Sequence, residues 1–446
     1  MSYQLEQAGR SPWAALLLIA VGTLVAHLAF GVHYATHAEN LQSKPTLQMT
    51  NEEYLKSFPG WEQPGENDAA AYNRAALGVL HTGIPRNRSG GVSAHALVYD
   101  YFLAACYWVG GVRLLAVAIP QAVLSGLTSL LVGLIAFRLA SRWARAASCL
   151  AALMVLINLR FAIYVGNMMP TVLLLFLFAG AMCAAVSGLR TPGALACFVG
   201  ALVLAAFTQA AFFIVAVAAA AWMGIEFIRD RRPVLLLGAA VLLGFVGVRI
   251  ALSRLDLGGD PTDGWRATDR GGILWEDNNP YYESMRWTSL WERRPGNPWT
   301  RWRMSEAEQQ RYTAYLERAG REEPQAACLW IRDNPRQYAK LCWIRLRTEL
   351  GPYTGQMSPR NRLISTFYWF LIFPAGWYGW WRLRRLAISR LALLVIVAIL
   401  SFDMLVFVEW YLRYRLPVDL ILTAYAGVAY SGWLRQLDTS STVSCR

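Results

Sequence analysis

The stretch Val92–Val112, VSAHALVYDYFLAACYWVGGV, decides how the rest of the chain is threaded. Runs of about 20 apolar residues read as membrane spans, and counting this one would invert everything after it. The short loops beyond it carry basic clusters: Arg138, Arg142 and Arg145; Arg190; Arg229, Arg231 and Arg232; Arg382, Arg384, Arg385 and Arg390. If the N-terminus is cytoplasmic and Val92–Val112 does not cross, all four clusters fall in the cytoplasm, as the positive-inside rule requires. If it crosses, all four fall outside. His95, Asp100 and the tyrosines of the stretch also suit an amphipathic helix lying in the interface. The sequence therefore predicts that it does not cross.

The composition agrees with a membrane protein. Of 446 residues, 56% are hydrophobic and only 16% charged, against roughly a quarter charged in soluble domains. The net charge of +13 does not read as a nucleic-acid surface, because much of it flanks long apolar runs. Ten spans are expected, near 13–34, 114–137, 146–166, 170–188, 192–209, 210–228, 233–252, 363–381, 388–408 and 416–434. Ala14–Phe30 is too long for the core of a cleaved signal and is followed by His33 and Tyr34. The expected architecture is an all-α polytopic protein of the bacterial inner membrane, with both termini cytoplasmic. Residues 1–254 would form a transmembrane module containing a first periplasmic loop at 35–112. Residues 255–362 would form an α-rich periplasmic region, and 363–446 the last helices.

The first loop contains PGENDAAAYNRAALGVLHTG, Pro64–Gly83. Pro64-Gly65 breaks the chain, a helix starts near Asn67 or Asp68, and Gly83 ends it. Tyr72, Ala75, Ala76, Val79 and Leu80 fall on one apolar face. Asp68 reads in two ways, as an N-cap or as a general base at the membrane surface. The segment EWYLRYRLPVDL, Glu409–Leu420, lies between the last two spans. Arg413 and Arg415 there either snorkel beside Tyr411 and Tyr414 or bind a phosphate head group. Arg160, Arg249 and Arg254 fall at the same depth, where an arginine is costly enough to suggest function.

The larger loop holds GGILWEDNNPYYESMRW (Gly271–Trp287), whose aromatics suit sugar stacking or head-group anchoring. It also holds a helix begun by Asn334-Pro335 and stopped by Gly351-Pro352, expected to lie over the membrane face. Cys328 and Cys342 share this region and have the chance to pair. His33 and His37 lie four apart without a supporting Cys or carboxylate pattern. No nucleotide-binding or zinc motif is present.

Taken together, these motifs resemble a GT-C glycosyltransferase of the group that includes protein O-mannosyltransferases and lipid A aminoarabinose transferases. The resemblance is carried in order by Asp68, Tyr72, Ala75-Ala76 and Gly83, then Val112-Arg113 and Gln121. It continues through Trp275 and Asn278-Asn279-Pro280, Ile331-Arg332-Asp333-Asn334-Pro335, and Arg413-Tyr414-Arg415-Leu416-Pro417. It implies transfer of one sugar, with inversion, from a polyprenyl-phosphate carrier to a periplasmic hydroxyl on a protein such as a pilin, on lipid A or on a glycan. Asp68 would be the catalytic base, under juxtamembrane helices that roof a lipid-accessible cavity. Tyr72, Arg86, Arg88, Arg160, Arg249, Arg254, Arg413, Tyr414 and Arg415 are the candidates for substrate binding.

The chain departs from the family pattern in three places. Asp68 is followed by Ala69 where a second acid is common, and Arg86–Gly91 replaces a Pro-rich stretch. Asn167-Met168-Met169-Pro170-Thr171 stands where metal-using relatives place an acid. No metal or other cofactor is therefore expected, and the protein is read as a monomer among membrane lipids with no nucleic-acid partner. The alternatives are a lipid-linked glycan ligase or polymerase, and a flippase of lipid-linked sugars. Mannose, aminoarabinose and arabinofuranose all remain open as the sugar.

Overall fold

The computed structural model describes residues 12–36, 68–86, 96–140, 143–189, 191–254, 278, 306–352, 359–406 and 413–443. These form sixteen α-helices. The first is α1 (Trp13–Thr36), followed by the juxtamembrane pair α2 (Asp68–Thr82) and α3 (Leu97–Gly110). Then come α4 (Leu114–Leu139), α5 (Ala144–Leu156), α6 (Leu159–Val165), α7 (Thr171–Val186), α8 (Pro192–Thr208), α9 (Phe213–Asp230) and α10 (Pro233–Arg254). Three helices of the polar region follow, α11 (Glu306–Arg318), α12 (Glu323–Asp333) and α13 (Pro335–Leu350). The chain closes with α14 (Pro359–Leu383), α15 (Ala387–Leu405) and α16 (Leu416–Val443).

All ten stretches expected to span are helical, within a few residues of the expected bounds except where α16 runs on past 434. Length and composition let three of the described helices cross a membrane alone, α1, α4 and α15, and four if α5 and α6 form one bent span. α7, α8 and part of α10 are apolar but shorter. The count of ten is thus an expectation that these helices accommodate without fixing it.

The decisive stretch forms one short helix. α3 has 14 residues, about 21 Å of helix at 1.5 Å per residue, against about 30 Å of hydrocarbon. It lies on α2, α4 and α8 and leaves Trp108 and Val109 about four-fifths exposed. The basic clusters gather at the opposite end. Arg138 donates to the Cys183 carbonyl at 3.1 Å, Arg232 to those of Gly188 and Leu189, and Arg390 grips Glu226 with Nε and Nη2.

α5 and α6 meet at a 54° bend. The groups freed at the bend are re-bonded in place. His27 Nε2 donates to the Leu156 carbonyl at 2.9 Å while Nδ1 meets the Ser125 hydroxyl at 2.7 Å. The Asn158 side chain accepts from the Arg160 amide at the start of α6. Burial of a helix break without such partners would leave peptide groups unsatisfied.

Packing rests on small residues. A methyl added at Gly427 of α16 would sit 2.6 Å from the Ala147 carbonyl oxygen and 2.8 Å from Ala151 Cβ of α5. One at Gly126 of α4 would sit 2.7 Å from the Ala20 carbonyl oxygen of α1. This is how helices associate where lipid removes the hydrophobic drive.

In α2 the buried face is Ala69, Tyr72, Ala76 and Leu77, with Ala75 also buried, while Leu80 stays 36% exposed. The apolar face is therefore turned by about one position from the expected one, because α2 must face α3 and the core beneath both. Gly83, at φ +75°, ends the helix as expected, its amide donating to the Val79 carbonyl.

α13 closes over the end of α15. Arg345 and Tyr338 donate to the Met404 and Leu405 carbonyls, at 3.1 and 2.9 Å, filling acceptors that a helix C-terminus leaves open. Asn334 begins α13, but its amide turns back to the Trp330 carbonyl and the Tyr315 hydroxyl. Cys328 and Cys342 are both free thiols.

Asp100 on α3 is 1% exposed, and neither carboxylate oxygen has a hydrogen-bond partner. Burial pushes its pKa up to about 8. The folded state thus holds this proton more tightly than the unfolded chain, so stability is greatest in acid and falls as pH rises through about 8.

Two outcomes are expected. Gly427→Leu lowers stability by about 1–3 kcal/mol through overpacking, read as an earlier unfolding transition in detergent. Asp100→Asn flattens the loss of melting temperature that the wild type shows between about pH 4 and 8, so a variant with an unchanged pH slope contradicts the buried-acid reading.

Candidate functional site

The juxtamembrane helices are fastened to the bundle by neutral polar groups. The Tyr107 hydroxyl lies 2.5 Å from Asn73 Oδ1 and 3.2 Å from Met168 Sδ. The Tyr72 and Tyr99 rings meet edge to face at 5.4 Å. Tyr99 donates to Gln121 Oε1 at 3.4 Å, and the fully buried Gln121 gives its amide hydrogens to the Val165 and Asn167 carbonyls, each at 3.0 Å. Gln121 of α4 thereby holds the turn between α6 and α7, on which α2 and α3 rest through Met168 and Met169.

The other side of that turn meets the RYR segment. Arg413 is buried, with Nη1 3.9 Å from Met169 Sδ and Nη2 donating to the Tyr414 hydroxyl at 2.8 Å. Its guanidinium lies 4.8 Å from the Tyr414 ring centroid. The Met168-Met169 pair therefore separates the juxtamembrane pair from Arg413 by single side chains.

Arg415 and Arg160 share one carboxylate. Asp419 Oδ1 lies 3.2 Å from Arg415 Nε, and Oδ2 accepts from Arg160 Nη1 at 3.0 Å. Arg415 is 1% exposed, and Arg160 and Asp419 are 7% and 6% exposed. Arg160 Nη2 donates to the Pro352 and Ser365 carbonyls, each at 2.8 Å. Arg415 Nη1 donates to the carbonyls of Glu349, at 2.6 Å, and of Gly351. The cluster therefore ties α6, α13, α14 and α16 together. Three of their N–H donors form no hydrogen bond, Arg160 Nε, Arg415 Nε and Arg415 Nη2. The Glu349 carboxyl, on the last turn of α13, is also buried, with one oxygen unbonded. Burial raises its pKa to about 7, opposed by the Arg415 charge.

The sequence candidates fall into three sets. Arg160 and Arg415 come together, with Arg413 and Tyr414 beside them. Tyr72 is buried in the juxtamembrane core, and Arg86, half-buried, follows α2 and backs onto Gly78. Asp68 opens α2, and Arg249 and Arg254 lie in the last two turns of α10, but the side chains of these three lie outside the described residues, as does Arg88 entirely.

Asp419, Glu349 and Asn73 carried no sequence signal as site residues. Asp419 reads as an ordinary acid in the first turn of a helix. Asn278 of the Asn-Asn-Pro motif is fully buried and accepts from Arg345 Nη2 at 3.0 Å, a structural role for a residue singled out by pattern. Among the described residues no three His, Cys, Asp or Glu side chains gather as a metal site.

No protein-family model matches the chain, and no curated protein matches it in sequence. Solved structures do match in fold. The Archaeoglobus fulgidus oligosaccharyltransferase tethered to an acceptor peptide superposes at a TM-score of 0.53, with 12% identity, over 97% of this chain and 51% of that one. The archaeal oligosaccharyltransferase AglB in complex with an inhibitory peptide and a dolichol-phosphate gives 0.50, with 15% identity, over 95% and 51%. ArnT from Cupriavidus metallidurans gives 0.46, with 14% identity, over 88% and 61%. The chain spans about half the length of the oligosaccharyltransferases it resembles. Its fold is that shared by these oligosaccharyltransferase structures.

Proposed function

We propose that the protein is a membrane glycosyltransferase that takes a sugar from a polyprenyl-phosphate carrier and places it on an acceptor hydroxyl at the periplasmic face. The observation that carries the reading is the buried Arg160–Asp419–Arg415 cluster, with guanidinium N–H groups still unspent, at the loop end of a GT-C fold. AglB, which shares that fold, has been captured with a dolichol-phosphate.

In this reading Asp68 accepts the proton of the acceptor hydroxyl as its oxygen attacks the anomeric carbon from the face opposite the phosphate. The bond from that carbon to the phosphate oxygen breaks, its electron pair leaves with the phosphate, and the new glycosidic bond forms with inversion. The carrier phosphate gains one negative charge, which guanidinium donors fixed in advance stabilise without reorganising. α2 and α3 supply the roof that seats the acceptor, and Arg413 stands between that roof and the cluster. The reading assigns no metal, on the ground that Asn167-Met168-Met169 stands where metal-using relatives carry an acid.

The test uses purified protein with synthetic polyprenyl-phosphate sugars. Asp68→Asn is expected to lower turnover by about 10²–10⁴-fold with the melting temperature kept, and near wild-type turnover removes Asp68 from the mechanism. Arg415→Ala is expected to weaken donor use roughly tenfold to a hundredfold, and an unchanged kcat/KM for the donor contradicts its phosphate role. EDTA is expected to leave transfer intact, whereas loss restored by a divalent cation overturns the metal-free assignment. Flipping of labelled lipid without transfer makes the protein a transporter, and transfer only from diphosphate-linked oligosaccharides makes it a ligase.

A further inference from the structure

Asp419 has a part in this site that goes beyond helix capping. Its two oxygens engage two guanidinium groups, Arg415 Nε at 3.2 Å and Arg160 Nη1 at 3.0 Å, the latter 259 residues from Asp419 in sequence. The remaining Arg160 and Arg415 bonds all run to backbone carbonyls, those of Pro352, Ser365, Glu349 and Gly351. Asp419 is thus the carboxylate that the pair shares. Its Oδ1 faces Arg415 Nε as an ion pair, while Arg415 Nη1 is bonded to two carbonyls and Nη2 is left without a partner.

Charge adds a second constraint. Two arginines and one aspartate sum to +1. Glu349 lies beside Arg415, and burial favours its neutral form, so it shifts this sum only between zero and +1. An unbalanced charge in a buried site is expensive. One negative charge brings the set to neutrality once Glu349 is protonated, whereas two leave a net anion.

We propose that Asp419 is a positioning residue for the lipid-phosphate step: it aims the free edge of Arg415, and its charge matches the pair to a singly charged phosphodiester rather than to a diphosphate. This rests on the reading of Arg415 as a phosphate ligand. A purely structural counter-ion would change how much protein folds. It would leave untouched the relative affinity of the folded molecules for two anions.

The experiment compares binding of farnesyl methyl phosphate, with one charge, and farnesyl diphosphate to full-length protein in detergent. The wild type is expected to prefer the diester. In Asp419→Asn the preference should move toward the diphosphate by about tenfold or more, the size expected for one charge several ångströms away at an effective dielectric near 20. Asp419→Glu should keep the wild-type preference.

The double variant Arg160→Gln with Asp419→Asn restores the net charge of the set without a second unpaired arginine. It serves where Asp419→Asn alone does not fold, and it should regain the preference for the diester while turnover stays low. A preference unchanged in Asp419→Asn, or lost in the double variant, overturns the charge match assigned to Asp419. Failure of both probes to bind the wild type overturns the phosphate reading beneath it.

Discussion

Two guanidinium groups from distant parts of the chain meet on the single carboxylate of Asp419, which lies 259 residues from Arg160, and the loop end of the bundle is organised around that meeting. Arg160 comes from the short helix after the α5–α6 bend, and Arg415 from the turn before α16. Their outer N–H groups reach carbonyls of the last turn of α13, of Gly351 and Pro352 after it, and one inside α14. Removing the carboxylate would leave two like charges buried together, a far larger cost than the pair returns as stability. The cluster is therefore better understood as a device for geometry than as a source of stability. The same bonds lock the polar helix α13 to the bundle at the place where a phosphate would need fixed donors.

Nearby helices are held by weaker, neutral groups. Gln121 pins the turn between α6 and α7, and the juxtamembrane helices rest on that turn through two methionines. Methionine packs against irregular surfaces and adapts when they move. The result is a rigid charged floor beneath a roof joined to it through Tyr107, Asn73, Met168 and Met169. That division suits a reaction with a small reacting head group and an acceptor that must enter and leave.

Much of the fold was legible because it depends on local patterns. The charge of the loops after Val92–Val112 kept that stretch out of the expected spans, and it forms the short helix α3. Pro64-Gly65 and Gly83 bracketed α2, and Asn334-Pro335 with Gly351-Pro352 bracketed α13. The arginines at 160, 413 and 415 stood out because charge is costly at their depth.

What escaped the sequence was pairing across the fold. Asp419 sits in the first turn of a helix after a proline, where an acid needs no further reason. Glu349 looks like an exposed acid near a helix end until α13 is laid against Arg415. The rotated face of α2, with Leu77 in and Leu80 out, depends on α3 as a partner, which helical periodicity alone does not specify.

The central claim is that the lipid-borne phosphate binds at the Arg160–Asp419–Arg415 cluster. An experimental structure of the protein with polyprenyl phosphate bound tests it most directly. The account predicts the phosphorus within hydrogen-bonding reach of Arg415 Nη2, with Asp419 still bridging the two arginines. A phosphate bound instead at the Arg138, Arg232 and Arg390 end, or on the outer surface with the cluster undisturbed, would contradict it.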